Sequence, residues 1–203
     1  MKKIIILAII ALPTVSVSFA QSDVQEVLKR HAAEEVGQLC DYIEFLANPQ
    51  NEYKTRNYYK TKALNLFINK GEEYEEDGIY RKGVIMEVTS VFRKKPSQRL
   101  IKEYFTGLMN MRYSKVAIES TEISNIEVSR LQQIDDDTFV CTCYFEQAFC
   151  GYRDGIPVYK DITRKKVKCY ILKEDIIDKE GKVQQEYILM LGNVTALETR
   201  HIN

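Results

Sequence analysis

The residues of this chain best placed to do chemistry are Gln147, Asp161 and Lys165. They fall on two alternating runs that also carry Phe139, Cys141, Cys143, Phe145, Phe149, Val167 and Cys169. An amide, a carboxylate and an amine on an otherwise apolar wall make a ligand-binding set, since a small-molecule pocket orients its occupant with a few polar groups among many apolar ones. The same three groups at the open rim of a sheet would only meet water, and the sequence leaves both readings open. Asp161 is the one acid that the alternation aims inward, and a lone carboxylate is weak material for a general base. No catalytic set is assigned.

His31 lies in an opening helix and His201 two residues from the end, so neither is positioned to activate a serine or cysteine nucleophile. Phosphate loops, dinucleotide fingerprints, HExxH and GxSxG are absent, and no cofactor is implied. The five cysteines, Cys40, Cys141, Cys143, Cys150 and Cys169, cannot all pair within one chain. Cys141 and Cys143 lie two apart on a strand, about 7 Å from each other, unsuited to a bridge. They read as small buried apolar residues, with a metal or redox site as the alternative, and no metal ligand is assigned.

Three further motifs have plain readings. The acidic stretch between Gly71 and Gly78 lacks the ligand spacing of a calcium loop and reads as solvated. Asn193-Val194-Thr195 matches a glycosylation acceptor but lies in an apolar strand. Of Arg164-Lys165-Lys166, alternation sends the outer two to one face and Lys165 to the other.

These residues need elements to hold them. Helical periodicity in the first half gives way to alternating, β-rich segments beyond Tyr113. The pattern predicts an α+β domain, with N-terminal helices packed on a strongly curved antiparallel sheet. Ser22 and Gln25 suggest a capping box opening a first helix, whose stripe of Val24, Val27, Leu28, Val36, Leu39, Ile43 and Leu46 runs to Asn48-Pro49. A second helix is expected over 58–68, a strand over 84–92, and a third helix opened by Pro96-Ser97. Strands are expected over 115–121, 126–134, 138–152, 156–172 and 186–199, with a polar loop near 178–181.

A three-residue loop, Arg153-Asp154-Gly155, would close the central hairpin and set Tyr152 opposite Ile156. Phe149 then faces Tyr159, Gln147 faces Asp161, Phe145 faces Thr163, Cys143 faces Lys165 and Cys141 faces Val167. Opposed residues share a face, so the trio lies on the face beneath the helices. A two-residue turn, or a bulge, would each shift that register by one. The other face carries Val140, Thr142, Tyr144, Ala148, Tyr170 and Leu172, too apolar to be fully wetted. A second copy of the chain or the last loop would cover it.

Residues 1–20 read as an export signal: Lys2 and Lys3, an apolar run from Ile4 to Leu12 too short to span a bilayer, and Ser18-Phe19-Ala20 as the cleavage site. The mature chain, 21–203, reads as one domain without a membrane span. Without Lys2 and Lys3 the 29 basic residues become 27 against 29 acidic ones, a balance that argues against nucleic acid. The expected location is the periplasm or the cell exterior.

The order of helices, hairpin and long strands resembles the nuclear transport factor two-like superfamily, the cone-shaped, cystatin-like α+β fold. Phe145-Glu146-Gln147-Ala148-Phe149, Gly151-Tyr152-Arg153-Asp154-Gly155 and Tyr159-Lys160-Asp161-Ile162-Thr163 also look like segments of exported Bacteroidetes-type proteins, with which no reaction is associated. The resemblance implies a cavity between helices and sheet, and a role in catalysis or in binding. With no catalytic set, the expected role is an exported, non-catalytic binding domain for a partner protein or a small ligand. A small-molecule isomerase, dehydratase or hydrolase using the cone pocket is the alternative. A homodimer through the outer sheet face is a further expectation.

Overall fold

A computed structural model of the protein describes residues 17–76, 78–93, 95–177 and 183–201. The expected export signal lies outside the described residues up to position 16, as does the polar loop at 178–181.

Helix α1 (Val17–Ala47) presses Leu28, Val36, Leu39, Ile43 and Leu46 into the core and stops at Asn48-Pro49, as expected. It runs on through Ser22, so that residue is no cap. Val24 shares the face of Leu28 one turn earlier yet is exposed, which marks where the core beneath the helix ends. Helix α2 (Tyr53–Leu64) starts five residues before the expected point. The chain then leaves it through a turn in which Asn69 and Lys70 adopt left-handed backbone. Phe67, expected on that helix, is instead extended, bridges Leu191 and packs its ring 6.1 Å from that of Phe105. Buried Arg56 ties the bundle together. It donates to the carbonyl oxygens of Asn51 (3.0 Å), Leu46 (3.2 Å) and Met109 (3.0 Å), satisfying carbonyls at two helix ends and in the connection after α1.

Among the described residues, ten strands follow or interleave: β1 (Tyr74–Glu76), β2 (Ile79–Arg81), β3 (Ile85–Val88), β4 (Ser97–Leu100), β5 (Lys115–Ser120), β6 (Glu127–Val128), β7 (Gln132–Gln133), β8 (Thr138–Arg153), β9 (Ile156–Ile177) and β10 (Val183–His201). Helix α3 (Ile101–Met109) separates β4 from β5 and buries Ile101, Tyr104, Phe105, Leu108 and Met109. The main sheet runs β4-β3-β10-β9-β8-β5, with β6 and β7 also paired to β8. All its pairings are antiparallel except β10 with β3, which run parallel. Register breaks at Gly151/Tyr152, Leu191/Val194 and Ala196/Glu198 bend the three long strands, because a bulge adds twist to one strand only. The fold class is therefore the expected α+β arrangement, helices over one face of a strongly curved, mainly antiparallel sheet.

Several local expectations are corrected. Residues 97–100 do not open the third helix; they pair with β3, and Pro96 stands just before the strand, where a missing N–H costs nothing. The stretch 126–134 is two short strands rather than one. Between them the Ser129 hydroxyl accepts the N–H of Thr142 at 2.9 Å, a side-chain bond standing in for a rung of the ladder. Asn193 sits at a register break and accepts the Ile85 N–H at 2.8 Å, a structural use of the glycosylation-like triplet.

The acidic stretch is a hairpin rather than a loop, although Glu72, Glu73 and Glu75 are exposed, as expected. Strands β1 and β2 form a hairpin whose Glu76 carboxylate takes hydrogen bonds from Lys168 Nζ (2.8 Å) and the Tyr170 hydroxyl, with Arg81 Nε 3.6 Å away. That lays the hairpin on the outer face of the sheet, where Tyr170 and Leu172 are half-buried. Part of the cover expected from a second copy or the last loop thus comes from this hairpin. The Lys168 and Tyr170 hydrogen bonds hold the Glu76 carboxyl below its ordinary value, against a smaller opposing effect of burial. Such a group stabilises the fold above the ordinary carboxylate range, and the contribution is lost as the pH falls through the lowered folded value. Glu76→Gln should therefore cost about 1 kcal/mol at neutral pH, a modest figure because both cations stand partly in water. Urea melts at pH 7 and pH 3 check this: the gap between wild type and variant should close at the lower pH.

Candidate ligand pocket

The site is set by how β8 returns as β9. Asp154 and Gly155 both adopt positive φ, 51° and 79°, which makes a two-residue loop of the kind that matches strand twist, and Arg153 rather than Tyr152 pairs with Ile156. The expected three-residue loop is therefore wrong by one position. The bulge at Gly151/Tyr152 then moves the register by one more. Two single shifts make a shift of two, which preserves which face each side chain takes. The observed partners are Phe149 with Asp161, Gln147 with Thr163, Phe145 with Lys165, Cys143 with Val167 and Cys141 with Cys169. Each expected pairing is corrected, yet every residue expected on the inner face remains there.

Gln147, Asp161 and Lys165 all lie buried beneath the helices, at 6, 5 and 7% exposure, rather than at a wet rim. They line a cavity of about 400 Å³ whose apolar walls come from Phe149 and Ile118 of the sheet, Tyr104 and Leu108 of α3, and Val88 and Phe92 at and after the end of β3. Lys165 Nζ donates to Gln147 Oε1 at 2.9 Å and lies 5.9 Å from the Tyr104 ring centre. An ammonium only donates, so the oxygen of the Gln147 amide must face it. The amide Nε2 is left buried without a hydrogen-bond partner among the described residues. Such a donor is costly to leave unmade and is a place where a ligand acceptor would be gained.

The charges of the pocket are strained by burial. Desolvation pushes the Lys165 amine down to about 8, although Cys40 and Asp161 act in the opposite sense. Burial raises the Asp161 carboxyl above its ordinary value, opposed by a hydrogen bond from the Tyr159 hydroxyl and by the charges of Lys165 and His201. Tyr104 and Tyr159 have their phenols raised, chiefly by burial, and both remain O–H donors at neutral pH. Aromatic rings form the outer wall: Tyr113 to Phe149 at 5.7 Å, Phe149 to Tyr159 at 5.8 Å, and Tyr159 to Phe92 at 5.9 Å. Gly151 makes room for the first of these, since a Cβ there would come within 2.5 Å of the Tyr113 ring.

Three site residues went unassigned in the sequence. Tyr159 alternates inward with Asp161 and was within reach of the same facing argument. Tyr104 lay in the predicted third helix, but nothing linear links it to Lys165. His201 stood beyond the expected end of the last strand. With β10 extended, it pairs directly with Asp161 and its charge acts on that carboxyl.

No protein-family model matches the chain, and no curated protein does. Two solved structures are similar to it. One is a presumed scytalone dehydratase from Novosphingobium aromaticivorans, at 10% identity and a TM-score of 0.47, covering 90% of this chain and 92% of that one. The other is the Kfla4162 protein from Kribbella flavida, at 12% identity and a TM-score of 0.42, covering 88% and 95%.

Proposed function

We propose that this chain is an exported small-ligand-binding domain of the cone-shaped, nuclear transport factor two-like kind. Its pocket takes a mainly apolar molecule that presents a carboxylate or carbonyl oxygen. The observation that carries this reading is the unpartnered Gln147 Nε2 beside the Lys165 ammonium. Both are donors, both are buried, and their two residues line one cavity, so the complementary group is an oxygen acceptor. The apolar and aromatic walls fit the rest of such a molecule, and the cavity volume lies in the range of ordinary ligand sites. Export is the setting expected from residues 1–20.

A second reading has its own support. An acid acting as a general base needs burial and a raised pKa, and Asp161 has both. Proton transfer at the carbon next to a bound carbonyl would use Asp161 as base, with Lys165 and Gln147 holding the oxygen on which charge develops. This is the isomerase or dehydratase type of chemistry.

Thermal-shift and calorimetric titration with a panel of aryl carboxylates, paired with alcohols of matching shape, tests the first reading. Carboxylates should raise the melting temperature and the alcohols should not. Lys165→Met and Gln147→Leu should each weaken carboxylate binding by roughly ten- to a hundredfold, the worth of a hydrogen bond to a charged group. Equal response to acids and alcohols, or binding untouched in both variants, would overturn it. Carboxylate affinity should also fall about tenfold per pH unit above pH 8, as the Lys165 amine loses its proton near 8. For the second reading, the α-protons of 2-tetralone in deuterated water should exchange faster with the wild-type protein than in buffer. Asp161→Asn should abolish the gain; exchange at the buffer rate sinks the catalytic proposal and leaves the binding proposal standing.

A further inference from the structure

The other half of the same hairpin carries a group of thiols that the pocket does not use. Cys141 and Cys169 are direct partners across β8 and β9, and Cys143, two residues along, lies diagonal to Cys169. All three are buried, at 4, 0 and 0% exposure. Their sulfur atoms all lie within 4.8 Å of one another, with Cys143 and Cys169 at 3.6 Å. Residues two apart on one strand have backbones about 7 Å apart, so the side chains of Cys141 and Cys143 lean toward each other. Among the described residues no histidine, aspartate or glutamate joins the group.

We infer that Cys141, Cys143 and Cys169 form a three-coordinate site for a soft, thiophilic metal ion, Cu(I) before others. A metal–sulfur bond of about 2.3 Å puts the ion at the centre of a sulfur triangle with edges of roughly 4 Å, and the observed spacing brackets that size. Zn²⁺ prefers a fourth ligand, which this set does not supply, while thiolate softness favours Cu(I). Each metal–sulfur bond that forms releases one thiol proton to water, and copper enters as Cu(I), so no electron is transferred. The bound site is anionic. Lys29 on α1, within electrostatic reach of Cys141, offsets part of that charge. The surrounding core, with Val167 and Ile171 fully buried on the same face, would shield the ion from water and oxidant.

The test uses the reduced full chain under anaerobic conditions, titrated with Cu(I) in competition with a chromogenic Cu(I) chelator. One equivalent should bind, with X-ray absorption showing about three sulfur neighbours near 2.3 Å. Cys143→Ala and Cys169→Ala should each weaken retention at least about a hundredfold, whereas Cys40→Ala and Cys150→Ala should leave it unchanged. Circular dichroism of each apo variant separates loss of metal from loss of fold. If Cys143→Ala does not fold, Cys141→Ser and the absorption spectrum of the wild-type protein carry the decision. No uptake by folded, reduced protein would overturn the inference, as would retention that follows Cys40 or Cys150. So would a protein that forms a Cys143–Cys169 disulfide on mild oxidation and binds no Cu(I) when reduced. None of these results depends on a ligand in the pocket.

Discussion

Side-chain parity along β8 and β9 is the constraint on which the interior depends. A strand exposes alternate residues to alternate faces, so a single unmatched shift of β9 against β8 would turn Asp161 and Lys165 outward while Gln147 stayed inside, and would put Arg164 and Lys166 under the helices. Two local devices set that parity together: the left-handed pair Asp154-Gly155 and the bulge beside Gly151. The bulge also bends the ribbon, so the geometry that fixes the register also helps to curve the sheet. Arg164 then stands outside, paired with Glu127 at 3.0 Å, while its neighbour Lys165 is enclosed.

Enclosing Lys165 works against stability, because an ammonium moved out of water loses far more solvation than one amide oxygen returns. A chain selected only to fold would place a Met or Leu there. The rest of the interior offsets the cost: Phe67, Phe105, Leu39, Ile43, Met86, Ile171 and Leu191 are wholly buried, and Arg56 ties the end of α1 and the turn after it to the end of α3. Arg56 is also a buried cation, but its hydrogen bonds go to carbonyls that would otherwise lack partners. Lys165 has one acceptor at hydrogen-bond distance in Gln147. The contrast separates a structural buried charge from one left with capacity to bind something else.

Much of this was legible in the residues, for physical reasons. Alternation survives an error of two in register, so the inner-face residues were placed correctly although every named pair was wrong. The hydrophobic stripe of α1 stood out because it repeats over many turns. Short elements were not legible: β4 gave no alternating signal and followed a proline, so Pro96-Ser97 looked like a helix start until pairing with β3 decided otherwise. The hairpin at Tyr74–Arg81 was hidden because what holds it down is an ion-pair contact with Lys168 nearly a hundred residues away. The orphaned amide of Gln147 could not be read at all, since it depends on which way Lys165 reaches. The meeting of three sulfurs was hidden in the same way, because the expected register set Cys141 opposite Val167 instead of Cys169.

The inner face of one hairpin thus divides into two chemically distinct halves. Near the turn, Gln147, Asp161, Thr163 and Lys165 make a polar floor under an aromatic wall; two to four positions beyond the Lys165 row, about 7 to 13 Å along the strands, three sulfurs converge. Phe145 and Val167, both buried, stand between the halves on β8 and β9. Such a barrier matters electrostatically. At that separation in a core, an anionic thiolate group would still favour the protonated form of Lys165, and so would strengthen the pocket's hold on a carboxylate at pH values above 8. Coupling of that kind is reciprocal, so a carboxylate in the pocket, by keeping the ammonium protonated above pH 8, would make the anionic site easier to form by the same factor. The two halves are separate in chemistry and joined only through charge, a consequence of building both on the same two strands.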